Sequence, residues 1–348
     1  MNSLVKNQTS ICNEEALSKG TWVKLICGAS NEDLTSIGDL CALYAKAGVH
    51  CIDVAADEGV VQVAREALDW VQEKWNVRPW LMISLSDGKD EHFRKACFDP
   101  KNCPTNCSRP CEKSCPVNAI TSTKGVNSKL CYGCGRCLIK CPMGLIEEKD
   151  HNINLEQISS VLSQLRPDAI EIHTAPGRSK DFQAALTKIM AAKIPLQRVS
   201  VSCGLQGHDI TIERLAKELW ERHACLRDYG QKTLWQLDGQ RMSGDLGKAT
   251  ASISVTLWKN IHALAPPGPL QLAGGTNAET IKYLPNQNGP SGIAFGSMAR
   301  KLIKPWLLQA EANQIRLREW PEGWEASLNQ AKQLINPWLA RNSESKSC

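Results

Sequence analysis

The sequence predicts an eight-stranded α/β barrel interrupted after its third strand by a cysteine-rich insert, and three observations predict it. Short runs rich in Val, Ile and Leu alternate with amphipathic stretches of helical period, eight such runs can be counted, and two cysteine quartets fall between the third and fourth. A parallel strand is covered on both faces, so it reads as continuously apolar where an antiparallel strand would alternate. Eight strands of this kind, each followed by a helix, suit a closed, TIM-like (β/α)8 barrel. An open doubly wound α/β sheet with the same insert is the alternative, because counting strands does not prove closure.

The elements follow in order. Residues 1–20 read as an N-terminal extension, and the first part of the barrel spans 21–96. It holds strands at 23–30 (VKLICGAS), 50–56 (HCIDVAA) and 80–86 (WLMISLS), with helices SIGDLCALYAKAG and VVQVAREALDWVQEKW between them. The insert covers 97–148. The barrel resumes over 149–304 with LEQISSVLSQL as a helix and strands at 169–174, 198–204, 233–239, 270–277 and 292–300. Helices are expected near 180–192, at IERLAKELWERHA, across 247–264 and, briefly, near 278–284. The stretch 305–340, rich in Leu, Gln, Ala and Arg and carrying Trp306, Trp320, Trp324 and Trp338, reads as closing helices, and 341–348 as a disordered tail.

Composition narrows the setting. Sixteen cysteines in 348 residues would suit a disulfide-rich secreted protein if the chain were short and began with a signal peptide. Its start, MNSLVKNQTSICNEEAL, has no basic-then-apolar pattern, and no apolar run is long enough for a membrane span. A cytoplasmic location is therefore expected, where clustered thiols stay reduced and bind metal. The formal charge of +5 is spread along the chain and forms no stripe of the kind that binds nucleic acid.

The quartets carry the chemistry. In CYGCGRCLIKCP the ligand run Cys131-x2-Cys134-x2-Cys137-x3-Cys141-Pro142 has the spacing of bacterial ferredoxins with two clusters, in which the fourth cysteine ligates the other cluster. That crossed rule groups Cys131, Cys134 and Cys137 with Cys115, and groups Cys103, Cys107 and Cys111 with Cys141. Gly133 and Gly135 let the backbone turn around a cubane. The first quartet, CPTNCSRPCEKSCP, departs from the pattern, because both of its short gaps have gained a residue. Two [4Fe–4S] clusters are expected, the first of them open to loss of an iron as [3Fe–4S] or to recruitment of nearby Cys97. A zinc ribbon is the competing reading, but it needs only four ligands in two CxxC pairs. Between 97 and 148 seven Lys and Arg face four acidic residues, a balance of 7 − 4 = +3 that either offsets anionic clusters or meets an acidic partner.

Strand carboxyl ends define the functional face of such a barrel. Here they are polar: Ser30 and Asn31, Asp53, Ser84 and Ser86, Glu171 and His173, Ser202 and Cys203, Gln236 and Asp238. Glu171 and His173 alternate along one strand and so point the same way, a candidate acid–base pair with Asp238 as a further catalytic candidate. A hydrogen-bonded structural histidine is equally common. Gly274, Gly275 and Thr276, with Gly296 and Ser297, lie at the seventh and eighth connections, where backbone N–H groups cradle phosphate in many barrels. FMN or another phosphate ligand would fit, and glycines serving only tight turns are the plainer reading. Cys203 reads as a buried, inert thiol.

The quartets CPTNCSRPCEKSCP and CYGCGRCLIKCP, with LRPDAIEIHT and LQLAGGTN downstream, make the chain resemble the light-dependent period proteins of cyanobacteria, which join ferredoxin-type motifs to a family-specific C-terminal region. The resemblance implies an iron–sulfur redox sensor that relays photosynthetic light and redox state to the circadian clock, with clock-input proteins such as the circadian input kinase complex as partners. An electron-transfer partner is also expected. The alternative is a flavin-dependent barrel oxidoreductase fed through its own ferredoxin-like insert, and a third reading has the clusters only stapling a long insertion.

Overall fold

The computed structural model describes residues 13–27, 34–88, 90, 93–115, 118–121, 123–128, 130–131, 135–150, 153–205, 207–240, 248–285 and 288–341. The N-terminal residues 1–12, the strand ends Ser30 and Asn31, Cys134 and most of the tail lie outside them. In chain order the elements are β1 (Trp22–Ile26), α1 (Leu34–Ala47), β2 (Cys51–Ala55), α2 (Glu58–Trp75), β3 (Trp80–Ser86), β4 (Arg94–Cys97), α3 (Pro110–Lys113), β5 (Ile120–Thr121), β6 (Gly125–Val126) and β7 (Glu147–Asp150). There follow α4 (Ile158–Leu165), β8 (Ala169–His173), α5 (Ser179–Ala191), β9 (Arg198–Cys203), α6 (Ile212–Asp228), β10 (Thr233–Asp238), α7 (Ile253–Ile261), β11 (Leu270–Ala273), β12 (Gly292–Phe295), α8 (Ser297–Ala312) and α9 (Pro321–Leu339).

Closure is decided at β1. It pairs in parallel with β2 on one side (Lys24 opposite Cys51) and with β12 on the other (Trp22 opposite Gly292), so the sheet has no edge. The eight barrel strands are the eight apolar runs of the sequence, and the open sheet is excluded. The insert leaves after β3 and returns before β8, which itself pairs with β3 from Met82 opposite Ala169 to Ser86 opposite His173. Outward-facing side chains such as Leu25, Ile52, Ile83, Ile170, Val201 and Leu237 pack under the helices in the main core. Both closing helices are present. On α9, Trp324 stands edge-on to Trp70 (5.4 Å between centroids) and stacked on Trp75 (6.2 Å), which gives part of the tryptophan excess a packing role.

Inside the barrel the layers differ sharply. At the amino end Trp22, Cys51, Trp80, Met82, Ala169 and Leu234 form a separate apolar plug with Ala16 and Leu17. Above it the layer is polar, with Lys24, Asp53, Ser84, Glu171, Ser200, Gln236 and Gln271 all buried. Barrel interiors are ordinarily filled by branched apolar side chains, so this layer is the fold's main departure from its class.

The plug carries a titratable group of its own. His50 stacks on Trp22 (5.5 Å between centroids) and accepts the Val23 N–H at Nδ1 (3.1 Å). Burial lowers its pKa from 6.5 to about 4. The unfolded chain thus takes up this proton below 6.5 while the folded chain waits until about 4, and stability must fall as pH drops through that window. The slope is at most about 1.4 kcal/mol per pH unit. Denaturant titrations from pH 7 to pH 4.5 should show it, and His50→Phe should remove most of it. A variant with the wild-type pH profile would contradict the assignment.

Candidate functional site

The insert stands on a two-stranded stem. β4 and β7 pair antiparallel, with Cys97 opposite Glu147 and Arg94 opposite Asp150. Lys95 ties the stem down through Asp57 (3.5 Å) and the Ser128 carbonyl (2.7 Å). Beyond it Ala96, Ala119, Ile120 and Ile146 make a small core shared with buried Cys111, Cys131 and Cys137, and Cys115 and Cys141 pack against its edge. A thiol-rich core of this size gains little from apolar burial alone, and a bound inorganic group would suit it.

Backbone amides point at sulfur. Cys107 Sγ accepts the Arg109 N–H (3.4 Å), Cys115 Sγ the Ala119 N–H (3.1 Å) and Cys141 Sγ the Leu145 N–H (3.4 Å). At Cys141 burial would push the thiol up, but N–H groups of Leu145, Met143, Ile146 and Gly144 outweigh it and hold the pKa below its ordinary value. Cys103 is pushed up by desolvation and then by Cys107, with Cys141 contributing; Cys111 is pushed up by desolvation, with Cys141 and Cys103 contributing. Cys141 therefore lies within electrostatic reach of Cys103 and Cys111, although at least thirty residues separate it from either in sequence. No described cysteine is in a disulfide. Among the described residues no three Cys, His, Asp or Glu side chains converge tightly enough to hold one ion. A cubane instead spreads its thiolates over separate irons, and cysteines that share one small core and accept backbone amides fit such a group.

Inside the barrel lies the polar layer. Lys24 Nζ donates to Glu171 Oε2 (2.5 Å) and Asp53 Oδ2 (3.1 Å). Because β1 and β8 are not neighbours, the first of these bonds crosses the lumen. Glu171 Oε2 also accepts from Ser200 Oγ (2.9 Å), while its Oε1 accepts from Gln236 Nε2 (2.8 Å) and faces His173 Nε2 (3.2 Å). From Gln236 the chain runs down through Gln271 (2.7 Å) to Trp22 Nε1 (2.7 Å) and up to Asp238 Oδ1 (3.2 Å). Asp238 Oδ2 accepts from Ser202, and Asp53 Oδ1 from Ser84 Oγ (2.6 Å).

The charges follow from these contacts. Burial would lower the Lys24 pKa, but Asp53 and Glu171 outweigh it and hold the ammonium charged. Burial would raise Glu171, but Lys24 and then His173 bring it down to about 2. Asp53 ends raised, because burial and Glu171 oppose Lys24. His173 Nδ1 meets Asp90 Oδ2 at 2.9 Å, so both ring nitrogens face carboxylates and the ring is an imidazolium, raised by Asp90 and Glu171 against burial.

The structure thus brings the sequence-derived pair Glu171 and His173 together within a larger charged network. Glu171 is fully buried with both oxygens doubly engaged, and His173 presents no lone pair to a substrate. They hold charge in place. Asp238 sits above them at the rim of the same network. Sequence reasoning passed over Lys24, Ser200, Gln271 and Asp90. The signal for the first three was a polar residue at an inward, alternate position of an otherwise apolar strand.

The glycine turns are packed by the chain itself. Gly274 (φ 65°) and Gly275 (φ 83°) adopt left-handed backbone, and a Cβ on Gly274 would stand 2.5 Å from the Gln240 carbonyl oxygen. Gly275 O accepts from Thr250 Oγ1 (2.8 Å), and Thr276 Oγ1 donates to Ala294 O (2.5 Å). Gly296 precedes α8, where Ser297 Oγ accepts from Arg300 Nη2 (3.3 Å) and Arg300 Nη1 donates to Ile26 O (3.2 Å). Cys203 is buried and pushed up to about 12 by burial, an unreactive thiol.

Comparison with known proteins settles the family. The Light dependent period A C-terminal domain matches residues 161–337, and the LdpA Fe-S cluster-binding domain matches 103–152. The chain belongs to the Light dependent period A family. It is 40% identical over 332 residues to Light dependent period A of Synechococcus elongatus, covering 93% of this chain and 92% of that protein. A ferredoxin of Methanocaldococcus jannaschii is 41% identical over 73 residues, 20% of this chain and 39% of its own length. The YdjI aldolase of Escherichia coli superposes with a TM-score of 0.50 at 11% identity, over 97% of this chain and 98% of that one, a likeness of fold alone. This member of the Light dependent period A family is an iron–sulfur protein built on a TIM-like barrel. No described helix is long and apolar enough to cross a membrane.

Proposed function

We propose that the chain is a cytoplasmic redox sensor holding two [4Fe–4S] clusters and relaying photosynthetic light and redox state to the circadian clock, through contacts with clock-input proteins such as the circadian input kinase complex. Cys103, Cys107, Cys111 and Cys141 would hold one cluster, and Cys115, Cys131, Cys134 and Cys137 the other. The ligand assignment rests on the ferredoxin spacing of Cys131 to Cys141, in which the fourth cysteine ligates the other cluster, and is supported by the packing of Cys111, Cys115, Cys131, Cys137 and Cys141 in one small core. The clock role rests on the family. When bound, the clusters would supply one-electron chemistry.

The chain's own part is to hydrogen-bond the sulfurs of Cys107, Cys115 and Cys141 with the amides of Arg109, Ala119 and Leu145 and to fix the insert on its stem. A change of cluster charge or integrity would be felt at that stem, which is how a local event would reach a partner surface. The wider gaps of the first quartet make its cluster the responsive one, including a [3Fe–4S] form. The second reading, a flavin-dependent barrel oxidoreductase with FMN near Gly274, Gly275, Thr276, Gly296 and Ser297, draws on the polar barrel interior. Anaerobic purification with iron, sulfide and flavin analysis and EPR before and after dithionite tests both. About eight irons per chain without flavin is the expected result. Stoichiometric flavin would favour the enzyme, and zinc in place of iron would overturn both.

A further inference from the structure

The two most exposed large apolar side chains among the described residues are Ile139, at 85%, and Met143, at 57%. Both belong to one turn of the insert, on either side of Cys141 and just after Cys137. That turn is fixed by backbone bonds: the Cys137 carbonyl accepts from Lys140 N (3.2 Å) and Cys141 N (3.1 Å), and the Cys141 carbonyl from Gly144 N (3.2 Å). The protein therefore holds an isoleucine and a methionine in water on a pre-organised loop, beside Cys141, whose sulfur accepts the Leu145 N–H. Exposed apolar side chains grouped in this way mark contact sites, and a rigid loop lowers the entropy lost on docking.

The insert carries a net positive charge. Lys140 lies between the two apolar residues, and Lys101 and Lys113 are exposed on the same insert, whose balance is 7 − 4 = +3. Its four acidic residues include Glu112 on α3, and Glu311 of α8 meets Arg136 at the start of the turn (3.5 Å). Glu147 and Glu148 lie on the stem, Glu148 paired with Arg94 (3.2 Å), and Asp99 caps the Lys101 amide (3.0 Å). A partner fitting this surface has a small apolar contact ringed by carboxylates, and electrostatic complementarity would speed its encounter in a salt-dependent way.

We infer that the Ile139–Lys140–Met143 turn is the docking surface for a small acidic one-electron carrier protein, which exchanges electrons with the cluster held beside Cys141. The inference rests on the iron–sulfur reading above. In the exchange the carrier loses one electron and the cluster gains it, and no bond is made or broken.

The test mixes chemically reduced, acidic plant-type [2Fe–2S] ferredoxin with the oxidised, cluster-loaded full chain anaerobically in a stopped-flow instrument. Wild-type transfer should slow at least tenfold between low and high salt. At low salt Lys140→Glu and Ile139→Ser should each slow it by about tenfold, whereas Leu308→Ser, at a 52% exposed apolar site on α8, should not. Iron content and the dithionite-reduced EPR signal should match wild type in all three. Variants that accept electrons at the wild-type rate, or a transfer indifferent to salt, would overturn the docking surface and leave the sensor reading standing. A wild-type chain that dithionite cannot reduce would remove both.

Discussion

Replacing Lys24 by methionine should destabilise the barrel by about 3–5 kcal/mol, the cost of leaving buried charge without its partner. The substitution keeps length and apolar stem but removes the one cation that Asp53 and Glu171 share inside the lumen. Both carboxylates are then left in a buried layer with hydroxyl and amide donors and the His173 ring, which faces Glu171 at 3.2 Å. Denaturant midpoints should fall with little change in slope, since the surface exposed on unfolding is unaltered. The deficit should shrink on acidification. In the wild type the Glu171 contribution is present above its ordinary 4.5 and lost as pH falls towards about 2, whereas in Lys24→Met the stranded carboxylates would protonate at higher pH and relieve themselves. Adding Glu171→Gln should recover part of the loss, a non-additivity that marks direct coupling. A cost for Lys24→Met under about 1 kcal/mol would mean that the lumen is wet or the network is not held as described.

Much of this architecture was legible because the relevant physics is local. Each barrel strand announces itself as an apolar run, since both of its faces are covered, and the ferredoxin spacing of Cys131 to Cys141 is a short-range constraint written within eleven residues. Closure was not legible, because the bond pattern that joins Trp22 to Gly292 spans almost the whole chain. Nor was the role of Glu171. Glu171 pairs with Lys24, 147 positions away, and only the barrel brings the two strands' inward faces together. The glycines of the seventh turn show the same limit. Their positive φ was foreseeable, but the backbone of Gln240 packed against Gly274 was not. Asp90 was invisible for a different reason, since it lies between the barrel and the insert and follows no period.

Cys141→Ser should remove about half of the bound iron while the chain stays folded. Cys141 ends the second quartet in sequence, yet its electrostatic neighbours are Cys103 and Cys111 of the first. Two uncrossed sites would therefore give a different result from crossed ones in a pair of variants. With crossed ligation, Cys141→Ser and Cys107→Ser damage the same cluster, so the double variant retains the same iron as either single one. With uncrossed ligation they damage different clusters, and the double variant loses nearly all of it. Cys97→Ser supplies the control: Cys97 lies on the stem, paired with Glu147, and is outside the proposed ligand set, so its loss should leave iron unchanged. Iron and sulfide content, with the EPR signal of the surviving cluster, distinguish these cases. The barrel should not register the loss, because its Lys24–Glu171 network and apolar core make no use of the insert's thiols. Far-UV circular dichroism and the denaturant midpoint of the barrel transition should match wild type. Complete iron loss in Cys141→Ser alone would show that neither cluster assembles without the other, and retention of all the iron would remove Cys141 from the ligand set.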